Sequence, residues 1–295
     1  MLLVQKFKGS LPWWLKIGTK ILLSRLPAGY SFWQNFRLFR HGHMDSIDYA
    51  LGVFGSHVDR AWRRIELKGS TILELGPGDS VATALIAKVH GARSVLVDAG
   101  SFATKDLSLY RRFAEDLESR GYVVPLDVKR ASSFDDFLVA CECSYLTDGL
   151  ESLKKIPSAS IDFVFSQAVL EHVRLSDFLD TQRELFRLVN SFGVCSHRVD
   201  LRDHLGGALN NLRFSRETWE SDFFARSGFY TNRIQMDRML HIFREAGFGL
   251  SVTEVRRWER LPTLRSNMAQ PFCDMDESEL NVSGFDVVLR RGNVR

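Results

Sequence analysis

From Ser70 onward, apolar runs of strand length alternate with longer stretches in which apolar positions recur every three to four residues. That alternation is the signature of βαβ units, whose crossovers build a parallel sheet. The runs predict strands at Thr71–Leu75, Ser94–Asp98, Cys143–Thr147, Ile161–Ser166 and Val194–Val199. Helices are expected at Ser80–Val89, Lys105–Arg120, Leu175–Val189 and Thr231–Ala246, and two later β-rich runs, Leu250–Trp258 and Phe285–Arg290, read as a closing pair. The expected fold class is α/β, a Rossmann-like doubly wound sheet, mostly parallel with a C-terminal antiparallel strand, plus an N-terminal helical extension. The division that follows is 1–69 as a basic, helical extension and 70–295 as the sheet domain.

In the extension, Trp14, Ile17, Ile21 and Leu22 fall at helical intervals beside Lys16, Lys20 and Arg25, so Trp13–Leu26 reads as an amphipathic basic helix. It would lie on the domain with its lysines solvated, or attach through residues 1–40 to a membrane surface or an anionic partner. Pro27, Ala28 and Gly29 break it, and an aromatic-rich stretch from Tyr30 to Phe39 leads to a helix expected over Ser46–Trp62. Two connections, Gly121–Val139 and Leu201–Tyr230, exceed the usual length of about 2–6 residues. The second follows a strand whose carboxyl end opens onto a ligand crevice in such sheets, so an acceptor-side insertion is expected at about 201–230.

Charge changes this picture in one respect. Residues 1–70 hold 11 Lys/Arg against 4 Asp/Glu, an excess of +7 in a chain whose net charge is +3, which leaves −4 for the rest. The four cysteines, Cys141, Cys143, Cys195 and Cys273, fit neither a disulfide framework nor a paired zinc motif. With no apolar run of membrane-spanning length and no signal-peptide pattern, a reducing, cytoplasmic setting is expected, with peripheral contact at the inner membrane face as the variant. Cys141 and Cys143, alternating as on a strand, read as small buried residues.

The sharpest chemical signal is Ile72-Leu73-Glu74-Leu75-Gly76-Pro77-Gly78-Asp79-Ser80, an apolar strand running into a Gly-rich turn and a helix. Glycines at 76 and 78 permit a tight turn and close approach of a ligand to the backbone. Asp98 lies 20 residues beyond Gly78, the spacing at which an acidic side chain accepts hydrogen bonds from a ribose diol. A nucleoside ligand is implied.

At these residues, over roughly 70–200, the chain resembles the class I S-adenosylmethionine-dependent methyltransferases, whose first motif is acidic-x-Gly-x-Gly-x-Gly. It departs from them at the third glycine, which is Ser80. The resemblance implies S-adenosylmethionine as cofactor, with Glu74 orienting the turn and meeting its amino-acid end, Gly76 and Gly78 lining it, and Asp98 holding the ribose. It further implies Asp148 as the adenine contact and places Gln167, at the end of the fourth strand, beside the cofactor. Asp162 would be structural, at that strand's far end.

A sulfonium methyl is already activated, so such an enzyme aligns a nucleophile and, for a hydroxyl acceptor, removes a proton. His172 follows the fourth strand, and His197, Asp200 and His204 cover the end of the fifth, so a general base is expected among these histidines, oriented by a carboxylate such as Asp200. His197, Asp200, Asp203 and His204 also have the chemistry of a divalent-cation site, although four near-adjacent residues leaving one strand rarely converge and no metal is assigned. Asn210, Asn211, Arg213 and Trp219 would offer a polar acceptor hydrogen-bonding and stacking groups.

The fourth strand ends Ser166-Gln167-Ala168-Val169, without the Asn/Asp-Pro-Pro-aromatic run of methyltransferases acting on bases or amide nitrogens, which argues against nucleic acid as acceptor. The whole pattern, with Phe39–Asp45 and the His197–Trp219 block, looks like bacterial methyltransferase-domain proteins and implies a small polar acceptor such as a hydroxyl of a sugar or glycan precursor. Two other classes compete. A nucleotide-dependent oxidoreductase would share the strand–turn–helix, but Val81 stands where its glycine would follow Gly78. A non-catalytic scaffold with a methyltransferase-like fold would bind no cofactor.

Overall fold

The computed structural model describes residues 44, 46–61 and 66–291, so the expected helix at Trp13–Leu26, the aromatic stretch 30–39 and the surface contact through residues 1–40 lie outside the described residues. Helix α1 (Ile47–Ala61) leads to strand β1 (Thr71–Leu75), α2 (Ala82–Val89), β2 (Arg93–Val97), α3 (Leu107–Ser119), α4 (Leu126–Arg130), α5 (Phe134–Ala140) and β3 (Cys143–Leu146). Then come α6 (Leu150–Lys155), β4 (Ile161–Gln167), α7 (Phe178–Leu188), β5 (Val189–Asp200), α8 (Arg216–Trp219), α9 (Asp222–Ala225) and α10 (Met236–Glu245). β6 (Phe248–Arg257), α11 (Glu277–Leu280) and β7 (Val282–Arg291) complete the described residues.

These strands form one seven-stranded sheet among the described residues, in the order β3-β2-β1-β4-β5-β7-β6. β1 to β5 pair in parallel, while β7 runs antiparallel between β5 and β6. This is the fold class read from the sequence pattern: Rossmann-like, doubly wound, with an antiparallel C-terminal strand. Strand order reverses between β1 and β4, so the crevice that opens outside the carboxyl ends of strands at such a switch point falls beside Gly76 and Gln167.

Helices cover both faces of the central strands, which is why apolar residues dominate both parities of those strands. Successive side chains go to opposite sides. Ile72, Phe163, Phe165 and Val194 pack under α1, α2 and α3, whereas Leu73, Leu75, Val164 and Cys195 pack under α7 and α10. Helix α1 buries Ile47, Ala50, Val53, Phe54 and Ala61 in the first of these cores, so the helical cover of the sheet begins ahead of residue 70.

The long connection at 121–139 contains α4 and α5, and the insertion at 201–230 contains a 3-10 turn (Asn210–Arg213), α8 and α9. Cys141 caps the end of α5 instead of sharing a strand with Cys143, because Glu142 between them adopts φ +51 and turns the chain. Both thiols are free, and burial raises their pKa values, that of Cys143 to about 12. Among the described residues no helix is long and apolar enough to cross a bilayer.

Candidate cofactor and acceptor site

Three strand ends are knitted together at the Gly-rich turn. The Gly76 N–H donates to the Val97 carbonyl at 2.8 Å, the Gly78 N–H donates to Asp98 Oδ2 at 3.1 Å, and the Gly149 N–H donates to the Asp98 carbonyl at 2.8 Å. Asp98 Oδ1 accepts from the Ala99 N–H at 2.7 Å. Gly76 and Gly78 have φ +74 and +68, and a Cβ at position 76 would lie 2.5 Å from Val169 Cγ2. Position 76 is thus closed to any L side chain by both backbone and packing.

The loop after β2 folds back over this turn. The Thr104 N–H reaches the Asp79 carbonyl at 2.9 Å, and the Tyr145 hydroxyl accepts from the N–H groups of Phe102 and Ala103 at 3.1 and 3.3 Å. The motif's departure at its third glycine has a local reason. Ser80 is buried and its hydroxyl donates to the Met44 carbonyl, anchoring the chain just ahead of α1.

Glu74 sits one residue before the end of β1, 2 % exposed, and its Oε2 has no hydrogen-bond partner. Burial, reinforced by the nearby Asp98 charge, raises its pKa to about 8. A buried polar atom without a partner is costly, so this carboxyl leaves one hydrogen-bonding position open at the edge of the turn, and a cationic partner there would favour its ionised form. Asp148, just past β3, is exposed and paired with Lys155 Nζ at 3.1 Å. Gln167 turns toward α1, where its Oε1 lies 3.0 Å from His57 Nε2.

The rim formed by β4 and β5 differs from expectation at one histidine. His197 is wholly buried, with Nδ1 2.8 Å from Ser166 Oγ, its ring stacked on Phe243 of α10, and burial lowering its pKa to about 3. It lies within the sheet with its side chain under α10, so it leaves the set of candidate bases. His172 and His204 do meet: both are exposed, and their rings stack at 4.7 Å between centroids and 25° between planes. His172 Nδ1 is 2.8 Å from the Tyr230 carbonyl, an acceptor, so Nδ1 carries the proton and Nε2 is the basic nitrogen of the neutral ring.

The neighbouring carboxylates divide their work. Burial opposes ionisation of Asp200, but the hydrogen bonds and charge of Arg202, 2.6 Å away, outweigh it and hold its pKa below the usual value. Glu171, which the sequence reading passed over, is 1 % exposed; its Oε1 accepts from the Asp200 N–H at 3.3 Å and its Oε2 has no partner. Burial raises it to about 8.

Asp203 spends its carboxylate on the backbone N–H groups of Leu205, Ala208 and Asn210, at 3.0, 3.0 and 2.6 Å. With His197 in the core and Asp203 organising a loop, the four cation-type residues do not converge, and no metal-ligating group of three forms among the described residues.

The 201–230 insertion has its own small core. Trp219, expected to stack on an acceptor, is fully buried, and its Nε1 donates to the Thr231 carbonyl at 2.7 Å. Asn211 is likewise internal, donating to Thr231 Oγ1 at 2.9 Å, while Arg213 Nε binds Asn210 Oδ1 at 3.0 Å. Arg233, at φ +59, lies between the rings of Trp219 and Phe272, 5.4 and 5.2 Å from their centroids, and donates to the Phe214 carbonyl at 2.7 Å. Burial lowers its pKa to about 10. Tyr230 hydrogen-bonds Glu220 Oε2 at 2.8 Å.

The class that sheet, turn and strand ends define is a Rossmann-like α/β domain with a strand–glycine-turn–helix opening. No protein-family model matches the chain, and no curated protein matches it. Among solved structures it is similar to an S-adenosylmethionine-dependent methyltransferase from Archaeoglobus fulgidus, at TM-score 0.47 and 10% identity over 88% of this chain and 99% of that one. It is similar to an arsenic(III) S-adenosylmethionine methyltransferase from Chlamydomonas reinhardtii, at TM-score 0.45 and 15% identity over 78% and 65%. A third is Haemonchus contortus phosphoethanolamine N-methyltransferase 2 in complex with phosphomonomethylethanolamine and S-adenosylhomocysteine, at TM-score 0.44 and 13% identity over 79% and 51%. The chain therefore spans about half the length of the Haemonchus enzyme.

Proposed function

We propose that the protein transfers the methyl group of S-adenosylmethionine to a small polar acceptor, a hydroxyl of a sugar or glycan precursor being the candidate class. The observation that carries this reading is the coincidence, at one turn, of a buried Glu74 carboxyl whose Oε2 has no partner with the Asp98 carboxylate that gathers the ends of β1 and β2. These residues fit the cofactor. Glu74 offers an acceptor to an ammonium, Asp98 an acceptor to a ribose diol, and Asp148, once released from Lys155, an acceptor to an adenine amine. The backbone N–H groups of such a turn suit a polar ligand lying along the main chain.

When bound, the sulfonium supplies an already activated methyl group. The protein's own task is to orient the acceptor and take its proton. His172 Nε2 is the proposed base, with its Nδ1–H held by the Tyr230 carbonyl and its ring backed by His204. Asp200, kept ionised by Arg202, favours the protonated imidazole that forms on this rim.

Calorimetry with S-adenosylmethionine, S-adenosylhomocysteine and NAD tests the reading. Binding of the first two alone is expected. Binding of NAD alone would assign an oxidoreductase, and no binding at all would assign a scaffold. Incubation with labelled methyl donor and fractionated cell extract would then identify the acceptor.

A further inference from the structure

One buried polar chain on the α1 side of the sheet has no part in the roles above. His57, wholly buried on α1, has Nδ1 2.8 Å from Ser196 Oγ on β5 and Nε2 3.0 Å from Gln167 Oε1 at the end of β4. Arg60, one turn further along α1, places Nη1 3.3 Å from the same Nδ1. Arg60 is itself fixed, since its Nη2 pairs at 2.8 Å with Asp286, a fully buried carboxylate on β7 that also accepts from Arg256 at 2.9 Å.

Donor and acceptor roles can be assigned from the cation beside the ring. A guanidinium has only donors, so the nitrogen facing Arg60 must present a lone pair. His57 Nδ1 is therefore unprotonated and also accepts from the Ser196 hydroxyl. The proton of the neutral ring must then sit on Nε2, and Nε2–H requires an acceptor at Gln167, which is the carbonyl oxygen. The other half of that carboxamide, its NH2, is consequently turned away from α1. Burial and the Arg60 charge both disfavour the imidazolium, lowering the His57 pKa to about 3, so the neutral ring persists across the physiological range.

Strand register says what the NH2 group can meet. Glu74 on β1 pairs with Phe165 on β4, and Gln167 lies two residues further along, on the same face and at the crevice end. At about 3.3 Å of rise per residue the two side chains stand roughly 7 Å apart along the strand direction, on neighbouring strands. One is an acceptor and the other a donor, and an α-amino acid zwitterion carries the complementary pair: an ammonium and a carboxylate.

We propose that the Arg60–His57 pair is a positioning device that locks the Gln167 carboxamide with its NH2 toward the crevice, where it donates to the carboxylate of the cofactor's amino-acid end while Glu74 takes the ammonium. This rests on the cofactor reading above. Gln167 is a binding residue in this scheme, and His57 acts through it.

Two measurements decide it. Long-range nitrogen–proton NMR on the unmodified protein should place the His57 proton on Nε2, with a neutral ring from pH 5 to 8; a proton on Nδ1, or a charged ring, overturns the proposal. In calorimetry, Gln167→Glu replaces the donor by a like-charged acceptor. It should weaken S-adenosylhomocysteine about tenfold or more while changing 5′-methylthioadenosine, the same nucleoside without the amino-acid end, by less than about twofold. His57→Phe, which frees the amide to flip, should give the same selective loss at smaller size. Equal losses for both ligands, or none for either, overturn the proposal while leaving the cofactor reading of the unmodified protein standing. If the unmodified protein binds neither ligand, it is the cofactor reading itself that fails, and the proposal with it.

Discussion

The two halves of the crevice are built in different ways. At the ends of β1, β2 and β3 the geometry is made by main chain: two positive-φ glycines, a carboxylate clasping backbone N–H groups, and strand ends tied to one another. At the ends of β4 and β5 it is made by side chains from distant segments: His172 held by residue 230, His204 stacked on it, and an insertion packed around Trp219. A site assembled from backbone can be specified by a short motif, because the spacing is covalent. A site assembled from side chains across the fold depends on register and packing, and is free to change with its acceptor.

The sharpest way to break this contrast is at His172. His172→Ala should lower labelled-methyl transfer by about 10²–10⁴-fold, the usual worth of a positioned base, while S-adenosylhomocysteine affinity measured by calorimetry stays within about twofold. Full transfer in both His172→Ala and His204→Ala would remove the base from this rim.

On the backbone side, Asp98→Ala should cost roughly tenfold to a hundredfold in cofactor affinity, since it deletes charge-assisted acceptors and loosens the turn together. An unchanged calorimetric titration would mean that the carboxylate serves only the fold.

Stability against pH separates the two halves further. The folded state holds protons on Glu74 and Glu171 up to about pH 8, whereas the unfolded chain releases them near 4.5. Unfolding therefore releases protons in that window, and the ligand-free protein should lose stability as pH rises from about 4.5 to 8. Glu74→Gln and Glu171→Gln should each flatten part of that slope in thermal melts. Only Glu74→Gln should also weaken S-adenosylhomocysteine, and loss of binding in both variants would erase the distinction.

The smallest expected effect is at Asp148, whose carboxylate is exposed and screened. Asp148→Asn should weaken nucleoside binding by no more than a few-fold in the same titrations.

What could be read from the sequence divides along the same line. The course from Thr71 through the turn to Asp98 was legible because its chemistry is local: an apolar strand, two glycines, and an acid 20 residues on. The sheet followed from the alternation of runs, and strand β1 falls on the residues expected. Position along the chain puts His197 beside the rim residues, but parity within β5 decides where its ring points. Side chains alternate along β5, so Ser196 meets His57 on one face and His197 meets Phe243 on the other, both beneath helices. The polar run Ser196-His197-Arg198 hides that burial in the sequence, because it reads as a rim although Ser196 and His197 are both fully covered.

His57, Arg60 and Asp286 left no signal of their pairing. Ser196 lies 139 residues from His57 and Asp286 lies farther still from Arg60, and one sequence carries no record of which strands pair. Trp219 sits in a polar loop, which in sequence suggests a stacking surface. That loop, however, folds around its own small core, and the largest side chain fills it.

The cation at position 233 has a practical consequence. Wedged between a ring of the insertion and a ring from the connection that follows β6, it acts as a rivet through two segments that are far apart in sequence. A chimera that grafts a foreign loop at 201–230 alone would leave that rivet with half its seat, so any graft of this insertion has to carry both stretches as one cassette.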